Sequence, residues 1–294
     1  MTKKRFQLKN WAGWLLIVPG LAFHLYAVTV PAALGLYLPF TEWNGLDVPK
    51  FIGFDNFIEA FQDKIVGMAL LNNVKWMLFW ITVPIILAFF LAYLLTKVKK
   101  GQTAYQSIFF STSIITVTVA GQIWFWLYNP FSGVNFYMDK VGLGFIEWPG
   151  LTIPSFSLVS VLIADMWRGF GGNVIWLLAA MSQNDKSLEE AARIDGAGRF
   201  RIIWNVILPQ IRPTLVVVTM LTALGSFGAF EMVYVMTGGG PAHATETLST
   251  YYYSLSTEGR RAGYGSAIAL FQIFAALILI VFYGYLRKKK GWDV

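Results

Sequence analysis

Asp165 and Arg168 stand three residues apart inside one apolar stretch of the 294-residue sequence, and Glu231 stands inside another. Ionisable groups at membrane depth are costly, so by default they mark a pathway or a ligand site. Catalysis would ask for more than this. The chain has two histidines, His24 and His243, and no cysteine, which excludes disulfides, thiolate metal sites and a cysteine nucleophile. A polytopic membrane enzyme, such as a lipid-linked sugar transferase, would need a convergent acid/base or metal set, and these scattered groups do not supply one. No G-x-x-x-x-G-K-[ST] phosphate loop occurs either, so the chain does not carry that device for hydrolysing ATP. What remains is binding.

Helical spacing sorts the candidates into two faces. Asp165 shares one with Arg168, Gly169 and Gly172 at i+3, i+4 and i+7, and Thr222, Ser226 and Ala229 share another. Small and polar residues on both faces leave room for a hydroxyl-rich ligand, on which Trp167 or a neighbouring aromatic could stack. The competing reading makes Asp165 and Arg168 a structural ion pair and assigns the small residues to helix packing. Glu231, nearer the outer end of its stretch, suits a solvated gate or a loop contact. His24 reads as a hydrogen-bonded packing residue and His243 as an outer-loop residue.

These faces need elements to carry them. Apolar residues make up 56% of the chain and charged ones 13%, against about 25% charged in a soluble domain, so a bilayer is the expected solvent. Six windows of roughly 20 apolar residues or more fall at about 11–40, 69–96, 104–129, 153–181, 213–237 and 262–286. Of the 23 Lys and Arg residues, 16 lie in alternate connections: before the first window and after the second, fourth and sixth. That asymmetry places those connections and both termini in the cytoplasm and accounts for the net charge of +7 without nucleic acid. The first window is too long for the apolar core of a cleaved signal and reads as a retained helix, kinked at Pro19 and Pro31. On this topology Asp165 lies roughly 15 Å below the outer surface, while Thr222 and Ser226 lie roughly 14 and 20 Å in from the cytoplasm, so the two faces overlap in depth. The expected architecture is all-α, with six transmembrane helices in one domain.

One cytoplasmic connection, residues 182–212, is patterned rather than merely polar. Ser187 with Glu190 forms a capping box that predicts a short helix, Gly196 and Gly198 permit a turn, and a second helix should run from Arg199 to about Ile207 until Pro209 stops it. Phe200, Ile203, Trp204 and Ile207 would share one face at i, i+3, i+4 and i+7. A helix presenting Ala191, Ala192 and Ala197 suits a groove on a partner protein; the alternative is an amphipathic helix lying on lipid headgroups.

Glu190-Ala191-Ala192, then Gly196, then Leu208-Pro209 resembles the EAA motif in membrane subunits of bacterial ATP-binding-cassette importers. The longer form, with Asp195-Gly196-Ala197 and a Pro at 213, is similar to the carbohydrate-uptake branch, the maltose and glycerol-phosphate importer type. Trp43, the run Phe51 to Phe57, and Thr237 to Thr247 look like the same branch. Asp185 and Glu189 depart from the pattern, where Pro and Tyr are frequent, and Val206 replaces the usual Ile. The resemblance implies an alternating-access permease whose coupling residues are Glu190, Ala191, Ala192, Asp195, Gly196 and Ala197. It implies a second, related permease subunit, two copies of an ATPase subunit that use ATP and Mg, and an extracellular substrate-binding protein; this chain would carry no cofactor itself. In that branch the ligand is contacted at positions matching the two helical faces above. A stand-alone secondary transporter should instead show internal repeats, and residues 1–147 do not resemble 148–294.

Overall fold

The computed structural model describes residues 3–144 and 148–289, and they fall into two compact units. Lys290, among the basic residues counted above, lies outside the described residues.

The first unit comprises Met1–Gln62 with Tyr252–Phe271. Helix α1 (Lys3–His24) passes through a π turn, Leu25–Thr29, into α2 (Val30–Tyr37) and a short 3-10 turn, Leu38–Phe40. Val30 N–H bonds to Leu25 O, five residues back, a register shift immediately before Pro31, which has no N–H to give. The kink is thus absorbed without breaking the helix. Trp14, Leu16, Phe23 and Tyr26 on this span are all exposed, and so is His24; a soluble protein would not leave such an apolar surface uncovered. Beyond it, β1 (Thr41–Glu42) pairs antiparallel with β2 (Lys50–Phe51), and α3 (Asp55–Gln62) is an amphipathic helix. Buried Asn56 ties α3 down by donating to Pro39 O and Thr41 O, each at 2.9 Å.

The second unit, Asp63–Tyr251 with Gln272–Val294, holds every candidate site residue. Helix α4 (Lys64–Thr96) starts at Asp63, whose carboxylate accepts from Ile65 N–H. After it come α5 (Gln102–Ile114), α6 (Val117–Leu127) and α7 (Val134–Lys140), then α8 (Pro154–Ser182), α9 (Lys186–Ile194), α10 (Arg199–Ile202), α11 (Leu208–Phe227) and α12 (Glu231–Met236). The chain closes with α13 (Leu248–Thr257) and α14 (Ala262–Lys289). Two apolar clusters hold the unit together. One joins Ala88, Ala92 and Leu95 to Leu177, Met181, Ile207 and Ile211; the other joins Trp76 and Trp80 to Ala120, Val161, Ala164 and Val233. Fully buried alanines at 69, 88 and 92 let α4 approach its neighbours closely, which is how helices gain dispersion energy where lipid supplies no hydrophobic drive.

Two of the six expected spans are broken. The third bends by 89° between α5 and α6. Its break falls in the β-branched run Ile114 to Val119, where χ1 crowding disfavours helix, and Thr116 starts α6 afresh as its N-cap. The fifth ends at Phe227, crosses Gly228-Ala229-Phe230 and resumes as α12. Among the described residues, four helices can cross a bilayer by length and composition, five if the bent pair is one span. Helix α8, expected as the fourth, is not among them: Ser157, Ser160, Asp165 and Arg168 dilute its apolar character.

The connection 182–212 also differs from expectation in two respects. Helix α9 starts two residues earlier, with Asp185 rather than Ser187 as its cap. Nor does Pro209 stop the next helix: α10 runs through a π turn, Ile203–Ile207, straight into α11, so Pro213 is interior to the helix instead of opening it. Leu208 N–H bonds to Ile203 O, five residues back, which resets the register just ahead of the proline. The same shift redraws the buried face: Ile202, Ile203, Ile207 and Ile211 are buried, whereas Phe200 and Trp204 are exposed.

Candidate functional site

A cavity of about 480 Å³ opens where α4, α8 and the break between α11 and α12 meet. Its wall includes Asp165, Arg168 and Gly169 from α8, and Thr222, Ser226 and Ala229 from the fifth span. Six of the seven residues that spacing selected as a ligand surface therefore converge; Gly172 is not on the wall. Glu231, expected as a gate or loop contact, is on it.

The contacts assign different work to these residues. Trp80 Nε1 donates to Asp165 Oδ2 at 3.0 Å, while Arg168 Nε stands 3.9 Å from Asp165 Oδ1, beyond hydrogen-bonding distance. The pair that sequence spacing proposed is thus a loose ion contact, and the indole is what fixes the carboxylate. Arg168 Nε is buried with no hydrogen-bond partner, although the Arg168 carbonyl accepts from Ser113 Oγ at 2.9 Å. Gly169 serves packing: a Cβ there would lie 2.5 Å from Trp80 Cη2. Ser226 is buried, and its hydroxyl donates to Thr222 O at 2.9 Å.

Sequence spacing missed the aromatic part of the wall. Trp76, Trp80 and Phe230 line the cavity, whereas Trp167 packs edge-on against Trp124, ring centres 5.9 Å apart, and does not. The i, i+4 spacing of Trp76 and Trp80 on α4 was the available signal.

The broken end of the fifth span is held by a clamp that spacing also missed. Asn73 Nδ2 donates to Ser226 O at 3.0 Å and its Oδ1 accepts from Leu248 N–H at 3.0 Å. Neighbouring Asn72 donates to Ala244 O and Glu246 O, and Thr247 Oγ1 donates to Ala229 O at 2.8 Å. Carbonyls freed by a helix break need such partners inside a membrane protein. The loop they reach is tightly built: Gly238 and Gly239 take positive φ, and buried Glu246 accepts from Thr250 Oγ1 at 2.6 Å and lies 2.8 Å from His243 Nδ1. The consecutive asparagines in an apolar window were the signal for it.

At the opposite ends of α8 and α11 sits α9. Its C-terminus is a Schellman motif: Gly196 N–H bonds to Arg193 O at 3.1 Å and Ala197 N–H to Ala192 O at 2.9 Å. Gly196 has φ +76°, a conformation that costs an L-residue about 1–2 kcal/mol, while Gly198 is extended at φ −68°. Ala192 and Ala197 pack against the first apolar cluster; Glu190, Ala191, Asp195 and Gly196 are exposed. Glu189 anchors the helix through Lys97 at 2.7 Å and Arg193 at 3.5 Å. Exposed pairs of this kind contribute about 0.2–1 kcal/mol, so apolar packing does most of the holding. At Asp185 the hydroxyl and amide of Ser187 hold the carboxyl below the usual carboxylate range.

A helical membrane unit with an open, partly polar cavity at a broken span is the framework of a translocation subunit. Residues 75–291 match the family of binding-protein-dependent transport system inner membrane components, and the chain belongs to that family. It is 31% identical to the probable ABC transporter permease protein YurN of Bacillus subtilis, over 90% of this chain and 92% of that one. It is 27% identical to the probable starch degradation products transport system permease protein AmyD of Thermoanaerobacterium thermosulfurigenes, over 96% and 97% of the two chains. Its fold is shared with a chain of a bacterial ABC transporter involved in the import of the acidic polysaccharide alginate, with a TM-score of 0.83 at 24% identity, covering 98% and 99%. The chain is a transport component, not an enzyme.

Proposed function

We propose that this chain is one of two permease subunits of an ATP-driven importer that takes a saccharide across the cytoplasmic membrane. The observation that carries the reading is a continuity. Helices α8 and α11 line the cavity with Asp165, Arg168, Thr222 and Ser226, and their other ends are joined through α9 and its Gly196 turn. A push on α9 therefore has a rigid route to the cavity.

On this reading Glu190, Ala191, Ala192, Asp195, Gly196 and Ala197 meet an ATPase subunit. Two copies of it would bind ATP and Mg, since the sequence has no phosphate loop. A second permease would complete the cavity, and a binding protein would deliver the sugar from outside. Both termini lie in the cytoplasm, as the basic-residue asymmetry indicates. The cavity supports a hydroxyl-rich ligand because it combines Trp76, Trp80 and Phe230 with Thr222, Ser226 and Arg168. ATPase closure would open it outward, and hydrolysis would return it inward.

Purification of the tagged chain in detergent, with its companions identified, tests this. The expected result is a second permease and two ATPase copies, with hydrolysis stimulated by a loaded binding protein and uncoupled by Gly196→Pro. A chain that purifies alone, under conditions that keep a control importer assembled, would overturn it.

A further inference from the structure

The cavity wall carries three charged side chains, and only two of them answer each other. Asp165 and Arg168 are an ion contact at 3.9 Å. Glu231 has no hydrogen bond or ion pair with any described residue, and it is exposed on the wall. It opens α12, directly after the Gly228-Ala229-Phe230 break. The positive end of α12 partly favours a carboxylate there, but the negative end of α11 meets the same break. The two helix ends offset, which leaves one uncompensated negative charge facing the ligand space.

We infer that Glu231 is a charge filter: it makes this half of the cavity favour neutral or cationic saccharides and disfavour uronates and other anionic sugars. This rests on the importer reading for its substrate class. Arg168 does not reverse the preference, because Asp165 is held beside it by Trp80. A wall of low dielectric strengthens the effect of a single charge well beyond its value in water.

The test needs neither the sugar nor the ATPase. The chain has no cysteine, so Thr222→Cys places a unique thiol of this chain on the cavity wall. The full-length chain, with whatever companions purify with it, is reacted with anionic and cationic methanethiosulfonate reagents, and its modification is read by mass. Taking the ratio of the two rates cancels thiol ionisation, and the ratio for free 2-mercaptoethanol sets the baseline. The expected result is a cationic-to-anionic ratio at least about tenfold above baseline, from one charge acting across the cavity at an effective dielectric of about 20. Glu231→Gln should bring it most of the way back to baseline, and Glu231→Asp should preserve it. A wild-type ratio at baseline, a ratio unchanged by Glu231→Gln, or a thiol that neither reagent reaches would each overturn the inference. None of these outcomes depends on whether the ATPase subunits bind, so failure of the filter and failure of the importer reading are separate results.

Discussion

Trp80 on α4 donates its indole N–H to Asp165 on α8 at 3.0 Å, across 85 residues of sequence, while Arg168, one turn along the same helix as Asp165, stays at 3.9 Å. The cavity is therefore organised by a contact between two helices, and the charged neighbour on α8 is left with a donor to spare.

Asp165→Ala should leave the buried indole N–H without an acceptor and cost about 1–3 kcal/mol. Asp165→Asn keeps an acceptor in place, so its thermal unfolding midpoint should lie near wild type and above that of Asp165→Ala in the purified complex. Equal midpoints for Ala and Asn would show that the hydrogen bond does not hold the wall.

The two glycines expected to share the ligand face should part company. A methyl at Gly169 meets Trp80 at 2.5 Å, whereas one at Gly172 meets nothing within 4 Å. Overpacking of this kind costs about 1–3 kcal/mol, so Gly169→Ala should lower the melting temperature and uptake, and Gly172→Ala should leave the melting temperature unchanged. The pair of melting curves checks it.

Gly196 and Gly198 make a second contrast. Gly196→Ala forces an L-residue to φ +76°, at about 1–2 kcal/mol, and breaks the turn that aims α9. Gly198→Ala occupies ordinary extended backbone at φ −68° and should be tolerated. Binding protein-stimulated ATPase activity should fall for the first and hold for the second, with Gly196→Asn falling between them because Asn tolerates the left-handed region.

The cap of α9 should loosen in acid. Hydrogen bonds from Ser187 hold Asp185 below the usual carboxylate range. A depressed folded value means that the cap's contribution is present at neutral pH and disappears as pH falls through that value. Hydrogen exchange at the Ser187 amide, corrected for intrinsic pH dependence, should therefore quicken on acidification in wild type and lose this pH dependence in Asp185→Asn.

Removing the clamp on the fifth span should be the most damaging change. Asn73→Ala orphans Leu248 N–H and frees Ser226 O and Phe227 O, each a buried group worth about 1–3 kcal/mol when left unsatisfied. Loss of folded, detergent-stable protein is expected. Recovery of stable Asn73→Ala at wild-type yield would show that other groups satisfy the break.

The sequence by itself determined the all-α, membrane-spanning class, because apolar length and composition are local quantities that a bilayer reads directly. It also determined the α9 turn, since a glycine at the required position after an amphipathic run leaves little alternative. Helical spacing brought Asp165, Arg168, Gly169, Thr222, Ser226 and Ala229 onto two faces, and those six line one cavity. Only tertiary structure decided what each does there. Trp80 claims Asp165, Trp80 also fills the space above Gly169, and Trp167 turns away to Trp124; each depends on a partner far along the chain. The same holds for the broken spans. Breaking a helix inside a membrane is affordable only where distant groups satisfy its carbonyls, and Asn73 and Thr247 do so here from other elements. The π turn before Pro209 follows this rule on a smaller scale: spacing predicts a stop, but burial of Ile203, Ile207 and Ile211 in one cluster keeps the helix going.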